Sequence, residues 1–154
     1  TDDGVLPLGV GICCEVVIDD VMRDSVQAGA EVMAIPTNNA TFGLTDESVQ
    51  QLAASWVMAI MLGRPIVHVS TVGVSALVAP DGSVSEQTEL FTQDIISGSV
   101  PRRTELTPAV RLGVWPQTAA VGLLALLLVR TVLGRRGERT EIRSASVRRE
   151  RSRV

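Results

Sequence analysis

Residues 9–15 read Gly-Val-Gly-Ile-Cys-Cys-Glu and close an apolar run that begins at Leu6. The run is short, partly β-branched and punctuated by a proline and glycines, which predicts a buried β-strand. A thiol and a carboxylate follow at its carboxyl end, where open α/β sheets place their sites. Because side chains alternate along a strand, Cys13 and Glu15 are expected on one face and Cys14 on the other. Free cysteines are also often buried, so a packing role for the thiols stays open.

Helix and strand patterns alternate along the next hundred residues, which predicts an α/β fold. Thr45 is expected to cap the second helix and Gly63 to end it. Residues 98–112 are expected to form a linker. The predicted elements are helices over 19–28 and 45–62 and strands over 31–36, 66–70, 74–79, 83–88 and 94–97.

Four segments resemble, in the same order, the motifs of one known family. Residues 11–15 resemble a Cys-Tyr-Glu box, and residues 37–43, Thr-Asn-Asn-Ala-Thr-Phe-Gly, resemble Ser-Asn-Asp-Ala-Trp-Phe-Gly. Residues 63–65 and 71–75 resemble Gly-Arg-Pro and Asn-Thr-Gly-Ile-Ser, and residues 106–108 with 113–116 resemble a juncture with a last membrane helix. The family is the apolipoprotein N-acyltransferases, within the nitrilase or carbon-nitrogen hydrolase superfamily.

The resemblance implies a fold, an activity and partners. Residues 1–110 would be the C-terminal half of a nitrilase-like α-β-β-α sandwich. Cys13 would be the nucleophile that takes a fatty acyl group from a phospholipid as a thioester. The N-terminal cysteine amine of a diacylated lipoprotein would then receive it. The partners would be these two substrates and a membrane, with no nucleic acid, cofactor or metal.

The matched motifs also nominate residues that line the substrate pocket or support the site. They are Cys14, Glu15, Asn38, Asn39, Phe42 and Ser75. Cys14 stands where the family often has Tyr and is interpreted as a packing residue. The two asparagines are expected to brace their loop, or alternatively to touch substrate. Thr41 replaces a family Trp, so an aromatic wall of the pocket is expected to be missing.

Other features depart from the family. Its Glu base and its Lys lie upstream of the cysteine box, whereas here twelve residues precede Cys13 and the sequence contains no Lys. We therefore interpret the chain as a fragment that is inactive alone. Trp56, Met58 and Met61 stand where the family has charged residues. An inactive membrane-anchored remnant and a soluble nitrilase-type amidase remain the alternative interpretations. His68 lies inside a predicted strand and is interpreted as a satisfied or semi-buried histidine rather than a metal ligand, because nothing nearby completes a metal site.

Charge and hydropathy divide the chain near its end. Residues 1–129 carry five Arg against fourteen acidic residues, and residues 130–154 carry nine Arg against three. The apolar stretch 113–133 predicts a transmembrane helix, with a buried C-terminal helix as the alternative. By the positive-inside rule, residues 134–154 would be a disordered cytoplasmic tail, and the nitrilase-like part would lie outside the bacterial inner membrane. The two adjacent cysteines are a poor disulfide pair and are interpreted as free thiols.

Overall fold

A five-stranded sheet forms the body of the protein in the computed structural model, which describes residues 4–131. Its strands lie side by side in chain order. The first three are parallel, and the last two pair antiparallel. This mixed α/β arrangement agrees with a nitrilase-like fold. The strands are β1 (Leu8–Val10), β2 (Val32–Thr37), β3 (Ile66–Ser70), β4 (Ala76–Val78) and β5 (Val84–Gln87).

Helices make the two parallel crossovers, as parallel neighbours require. Helix α1 (Asp19–Gln27) joins β1 to β2, and α2 (Glu47–Leu62) joins β2 to β3. Gly63 ends α2 in the left-handed conformation, as predicted, with φ +62°. The predicted Thr45 cap is wrong: its hydroxyl donates to the Phe42 carbonyl at 2.8 Å, and the helix begins two residues later.

Close packing of β1 against its neighbours requires glycine at two positions. A Cβ on Gly9 would lie 2.4 Å from the Met33 sulfur, and one on Gly11 would lie 2.7 Å from the Met22 sulfur. Neither distance is compatible with a side chain unless the methionine moves. The glycines therefore let the end of β1 lie close against the methionine side chains of α1 and β2. This close packing fixes the position of Cys13.

The two faces of the sheet differ in burial. Met33, Ile35 and Ile66 point to the face that the helices cover and are fully buried. Side chains that alternate onto the other face remain about half exposed at Leu8 (51%), Val10 (47%) and Val69 (49%). Val32 and Leu77 on the same face are buried, so the described chain leaves part of this apolar sheet face open to solvent.

The segment after β5 has no regular structure until α3 (Pro108–Leu112). The predicted strand over 94–97 is wrong, because these residues pair with no strand and Ile95 is 92% exposed. The predicted linker is wrong where α3 forms. Thr107 caps this helix by accepting a hydrogen bond from the Val110 backbone N–H, and Pro108 occupies its first position.

Arg64 holds the irregular segment against the sheet. Its guanidinium is buried and donates to the carbonyl of Ala30 from Nε and to that of Glu105 from Nη1, both at 2.7 Å. Nearby, Arg102 forms an ion pair with Glu31 at 2.5 Å. These contacts connect residues far apart in sequence through side chains rather than through strand pairing.

The chain divides into two compact units, Thr1–Gly113 and Val114–Val154. In the second unit, residues 115–131 are helical and their apolar side chains are exposed. Across residues 4–131, no helix combines the length and the apolar character needed to cross a membrane.

The predicted transmembrane helix over 113–133 is therefore wrong, and the membrane topology inferred from it loses its basis. Gly113, with φ +52°, ends α3, and residues 113–114 form a turn rather than the start of one long helix. Residues 132–133 and the predicted tail, 134–154, lie outside the described residues.

Candidate functional site

Cys13 stands where the chain leaves β1 and turns sharply. Residues Cys13–Val17 form a 3₁₀ turn, and Cys13 itself has φ +53°. In residues 4–131 only Phe91 shares this left-handed conformation among non-glycine residues. Such backbone is uncommon outside glycine and concentrates at functional sites. The thiol is partly exposed, so a substrate can reach it.

Glu15 braces this turn. Its Oε2 accepts a hydrogen bond from the Ile12 backbone N–H at 2.7 Å, and its own N–H donates to the Ile12 carbonyl at 3.0 Å. The expected strand-like alternation of Cys13, Cys14 and Glu15 is wrong, because all three belong to the 3₁₀ turn. The Glu15 carboxylate is occupied by backbone rather than aimed at the thiol.

Neutral side chains surround the Cys13 sulfur. Gln51 donates from Nε2 to Sγ at 3.6 Å. Hydrogen bonding by the Thr37 side chain lowers the pKa of the Cys13 thiol, with Gln51 and Cys14 acting in the same direction against partial burial. Hydrogen bonds donated to a thiolate favour the charged form, which is the nucleophilic one.

Thr37 links the thiol site to a buried polar cluster. Its hydroxyl lies 2.7 Å from Asn39 Oδ1 and 2.9 Å from Gln51 Oε1, and it can donate to one of these oxygens at a time. All three side chains are buried. Asn39 Nδ2 has no hydrogen-bond partner among the described residues.

Asn38, Phe42 and Ser75 lie in the loops beyond this cluster. Asn38 Oδ1 accepts from the Thr71 hydroxyl at 2.9 Å and from the Ala40 backbone, which ties the loop after β2 to the loop after β3. Ser75 bonds both backbone groups of Ser70. Phe42 is half-buried at the end of the 3₁₀ turn Ala40–Phe42. None of the three makes a described hydrogen bond to Cys13.

Two clefts open at this end of the sheet. The cleft of about 230 Å³ adjoins the thiols and is lined by Cys14, Val16, Val17, Glu47, Gln50 and Gln51. The other, of about 320 Å³, is lined by hydroxyl-bearing residues and by the loop after β5, and Ser75 contributes to it. Of the predicted pocket residues, Cys14 and Ser75 therefore line clefts, and they line different ones.

His68 is removed from this chemistry. It is fully buried in β3, and its Nδ1 lies 2.9 Å from the Ser55 hydroxyl. Burial lowers its pKa to about 4, so the imidazole is neutral at pH 7. Its Nε2 has no partner among the described residues. Within residues 4–131, no group of three or more His, Cys, Asp and Glu side chains could hold a metal ion.

Thr37 and Gln51 were not among the residues predicted from the sequence as parts of the site. A signal for Gln51 exists: Ser48, Gln51 and Ser55 occupy the spacing of three and four residues that the buried face of α2 follows. Polar side chains on such a face need partners inside the protein. The signal does not say which partner, because the contact with Cys13 depends on how α2 crosses the 3₁₀ turn.

Comparisons with known proteins identify the family of the chain. Residues 1–108 match the carbon-nitrogen hydrolase family. The chain is 40% identical over 127 residues to the apolipoprotein N-acyltransferase of Mycolicibacterium smegmatis, covering 80% of this chain and 21% of that protein. The enzyme of the same name from Shewanella oneidensis is 32% identical over 118 residues, covering 77% and 22%. The chain thus spans about a fifth of the length of these curated relatives.

A partial structural overlap is found with a mutant amidase from Nesterenkonia sp. AN1 that carries acrylamide on its active-site cysteine. The TM-score is 0.42 at 16% identity, with 54% of this chain and 35% of that chain covered.

Proposed function

Because the chain belongs to the carbon-nitrogen hydrolase family, we propose that it carries the nucleophile of a bacterial lipoprotein N-acyltransferase, and that this nucleophile is Cys13. The observation that supports the proposal most directly is the geometry of Cys13. A partly exposed thiol sits in a left-handed turn at the carboxyl end of β1 and accepts a hydrogen bond from Gln51 that favours its thiolate.

The reaction would proceed in two halves. The Cys13 thiolate attacks the ester carbonyl of a phospholipid, a thioester forms, and the lysophospholipid alkoxide leaves and takes up a proton. The α-amine of a diacylated lipoprotein's N-terminal cysteine then attacks the thioester. An amide forms, the amine loses a proton, and the Cys13 thiol is restored. Both substrates are lipids or lipidated, which places the reaction at a bacterial membrane.

The two halves need a base, and among the described residues no carboxylate, amine or imidazole is hydrogen-bonded to the Cys13 sulfur. Glu15 is engaged with the Ile12 backbone, the Cys13 contacts are neutral amide and hydroxyl groups, and the sequence contains no Lys. Arg side chains stay protonated and cannot accept a proton. We therefore propose that this chain by itself forms a thioester only with an activated acyl donor.

Acylation with two donors tests the proposal. The chain, Cys13→Ser and Cys14→Ser are each incubated with a p-nitrophenyl fatty acyl ester, whose leaving group needs no protonation. Mass spectrometry is expected to find a hydroxylamine-sensitive acyl group on Cys13 in the unaltered chain and in Cys14→Ser. No such group is expected in Cys13→Ser. Acylation of Cys14, or equal acylation of Cys13→Ser, would reverse the assignment.

The second arm supplies phospholipid and a diacylated lipopeptide in detergent. No triacylated product is expected. Cys13-dependent product at the rate of a complete N-acyltransferase would show that the chain holds its own base. Release of ammonia from a simple amide, without transfer to the lipopeptide amine, would instead favour the amidase alternative.

A further inference from the structure

The acyl-transfer chemistry uses one thiol, but the structure holds two in contact. Cys14 Sγ lies 3.8 Å from Cys13 Sγ, and both cysteines are free. Cys14 is exposed and lines the 230 Å³ cleft beside Gln51. A reagent that reaches either thiol therefore meets a second sulfur immediately beside it.

We propose that Cys13 and Cys14 form a dithiol site that peroxides oxidise reversibly, with Cys13 reacting first and Cys14 closing a disulfide onto it. The proposal shares one premise with the proposed function, that Cys13 is the reactive thiol. It assigns to Cys14 a role that acyl transfer does not require.

The two thiols differ in pKa, and the difference favours oxidation of Cys13 before Cys14. Cys13 receives the hydrogen bond of Gln51 and has a lowered pKa, first because of Thr37. Cys14 has a raised pKa, because of its hydrogen bond with Cys13 and because of the charge on Cys13. Since the thiolate is the form that peroxides oxidise, Cys13 is the first target.

The chemistry balances with the peroxide as the only co-reactant. The Cys13 thiolate attacks one peroxide oxygen, the O–O bond breaks, and a sulfenic acid forms while the departing hydroxide takes the thiol's proton to become water. The Cys14 sulfur then attacks the Cys13 sulfur, the S–O bond breaks, and a second water leaves with the Cys14 proton. Two thiols lose two electrons, and one hydrogen peroxide becomes two waters.

The geometry makes the product easy to reduce. The sulfurs must approach from 3.8 Å to about 2 Å. Neighbouring Cα atoms across a trans peptide are about 3.8 Å apart, below the roughly 4.4–6.8 Å of ordinary disulfides, which is why adjacent cysteines are a poor pair for a permanent disulfide and this one would be transient. Strained, exposed disulfides are the labile ones, so thiol reductants are expected to reopen this bond. While it is closed, Cys13 is shielded from the irreversible sulfinic and sulfonic acids.

Peroxide treatment of the full 154-residue chain tests the site, with Cys13→Ser, Cys14→Ser and Cys14→Ala as variants. After hydrogen peroxide and alkylation, the wild-type chain is expected to have lost two hydrogens and to regain two alkylatable thiols with dithiothreitol. In both Cys14 variants, most chains are expected to carry a sulfinic acid on Cys13 that dithiothreitol does not reverse. In Cys13→Ser, Cys14 is expected to stay alkylatable.

Sulfinic acid forming on wild-type Cys13 as fast as in the Cys14 variants would overturn the proposal. A disulfide between two chains instead of within one would overturn it as well. The p-nitrophenyl ester assay on reduced protein reports on the proposed function separately. Acylation of Cys13 without disulfide formation would contradict only the dithiol site. Disulfide formation without acylation would contradict only the acyltransferase assignment.

Discussion

At the scale of single residues, the Cys13 thiolate is stabilised by uncharged donors. Gln51→Leu removes the amide that donates to Sγ at 3.6 Å while keeping most of the side-chain volume. Because a donated hydrogen bond favours the thiolate, its loss is expected to raise the pKa of Cys13 and to slow alkylation at pH 7 severalfold. Thr37→Val is expected to act in the same direction, since the Thr37 side chain also lowers the pKa of the thiol.

The rate of iodoacetamide alkylation against pH measures this effect, in a Cys14→Ser background so that only Cys13 reacts. Gln50→Leu is the matched control, because Gln50 is exposed and lies next to Gln51 without bonding the thiol. A midpoint that stays in place in Gln51→Leu would show that the amide only fills space.

The sequence can nominate a site residue that stands in a recognisable motif. It cannot nominate residues that reach the site only through the packing of distant elements. Cys13 is nominated by the family motif that residues 11–15 resemble, and its role as nucleophile stays a prediction. Its neighbours Thr37 and Gln51 come from β2 and α2, and their meeting at one sulfur depends on the crossover of α2. The role of Glu15 also depends on a local structure, the 3₁₀ turn, that the strand pattern did not indicate.

At the scale of elements, Arg64 hydrogen-bonds the irregular segment after β5 to the rest of the fold. Arg64→Met removes the guanidinium that donates to the carbonyls of Ala30 and Glu105, and is expected to lower the free energy of unfolding by about 1–3 kcal/mol. Arg64→Lys should recover only part of the loss, because an ammonium cannot reproduce the guanidinium fork. Urea denaturation gives the free energies.

Arg103→Met supplies the comparison, since Arg103 is exposed on the same segment. Its effect is expected to stay within about 0.5 kcal/mol. Equal losses in Arg64→Met and Arg103→Met would mean that removal of a charge, rather than of the buried hydrogen bonds, controls stability.

Elements with strong periodicity were predicted, and those defined by capping or pairing were not. The patterns of α1, α2, β2 and β3 each contain enough apolar repeats to define them. Helix α3 has five residues, too few for a periodic signal, although Thr107 followed by Pro108 is a helix-start pattern. Residues 94–97 have strand-like composition, but the sheet already ends at β5.

At the scale of the whole molecule, the helices cover one face of the sheet and leave apolar residues on the other. The triple variant Leu8→Thr, Val10→Thr and Val69→Thr keeps β-branched or strand-compatible side chains but makes that face polar. Fluorescence of the apolar dye ANS is expected to fall relative to the wild type, because dye binds exposed apolar surface. Leu44→Thr, at an isolated residue 87% exposed in a loop, should change it little.

Both proteins keep the exposed helix of residues 115–131, so its contribution to the signal cancels in the comparison. Circular dichroism checks that the sheet persists. Undiminished ANS fluorescence in a folded triple variant would show that the sheet face is not the surface the dye reads.

The strand order has a consequence for how the protein is made. Strands that lie in the sheet in the order of the chain each find their partner already synthesised when they leave the ribosome. None has to wait for a later segment or be inserted between two others. At about 5–20 residues per second, the stretch from β1 to β5 emerges in roughly 4–16 seconds. The described sheet can therefore grow outward from β1 during translation, and each new strand covers the free edge of the strand made before it.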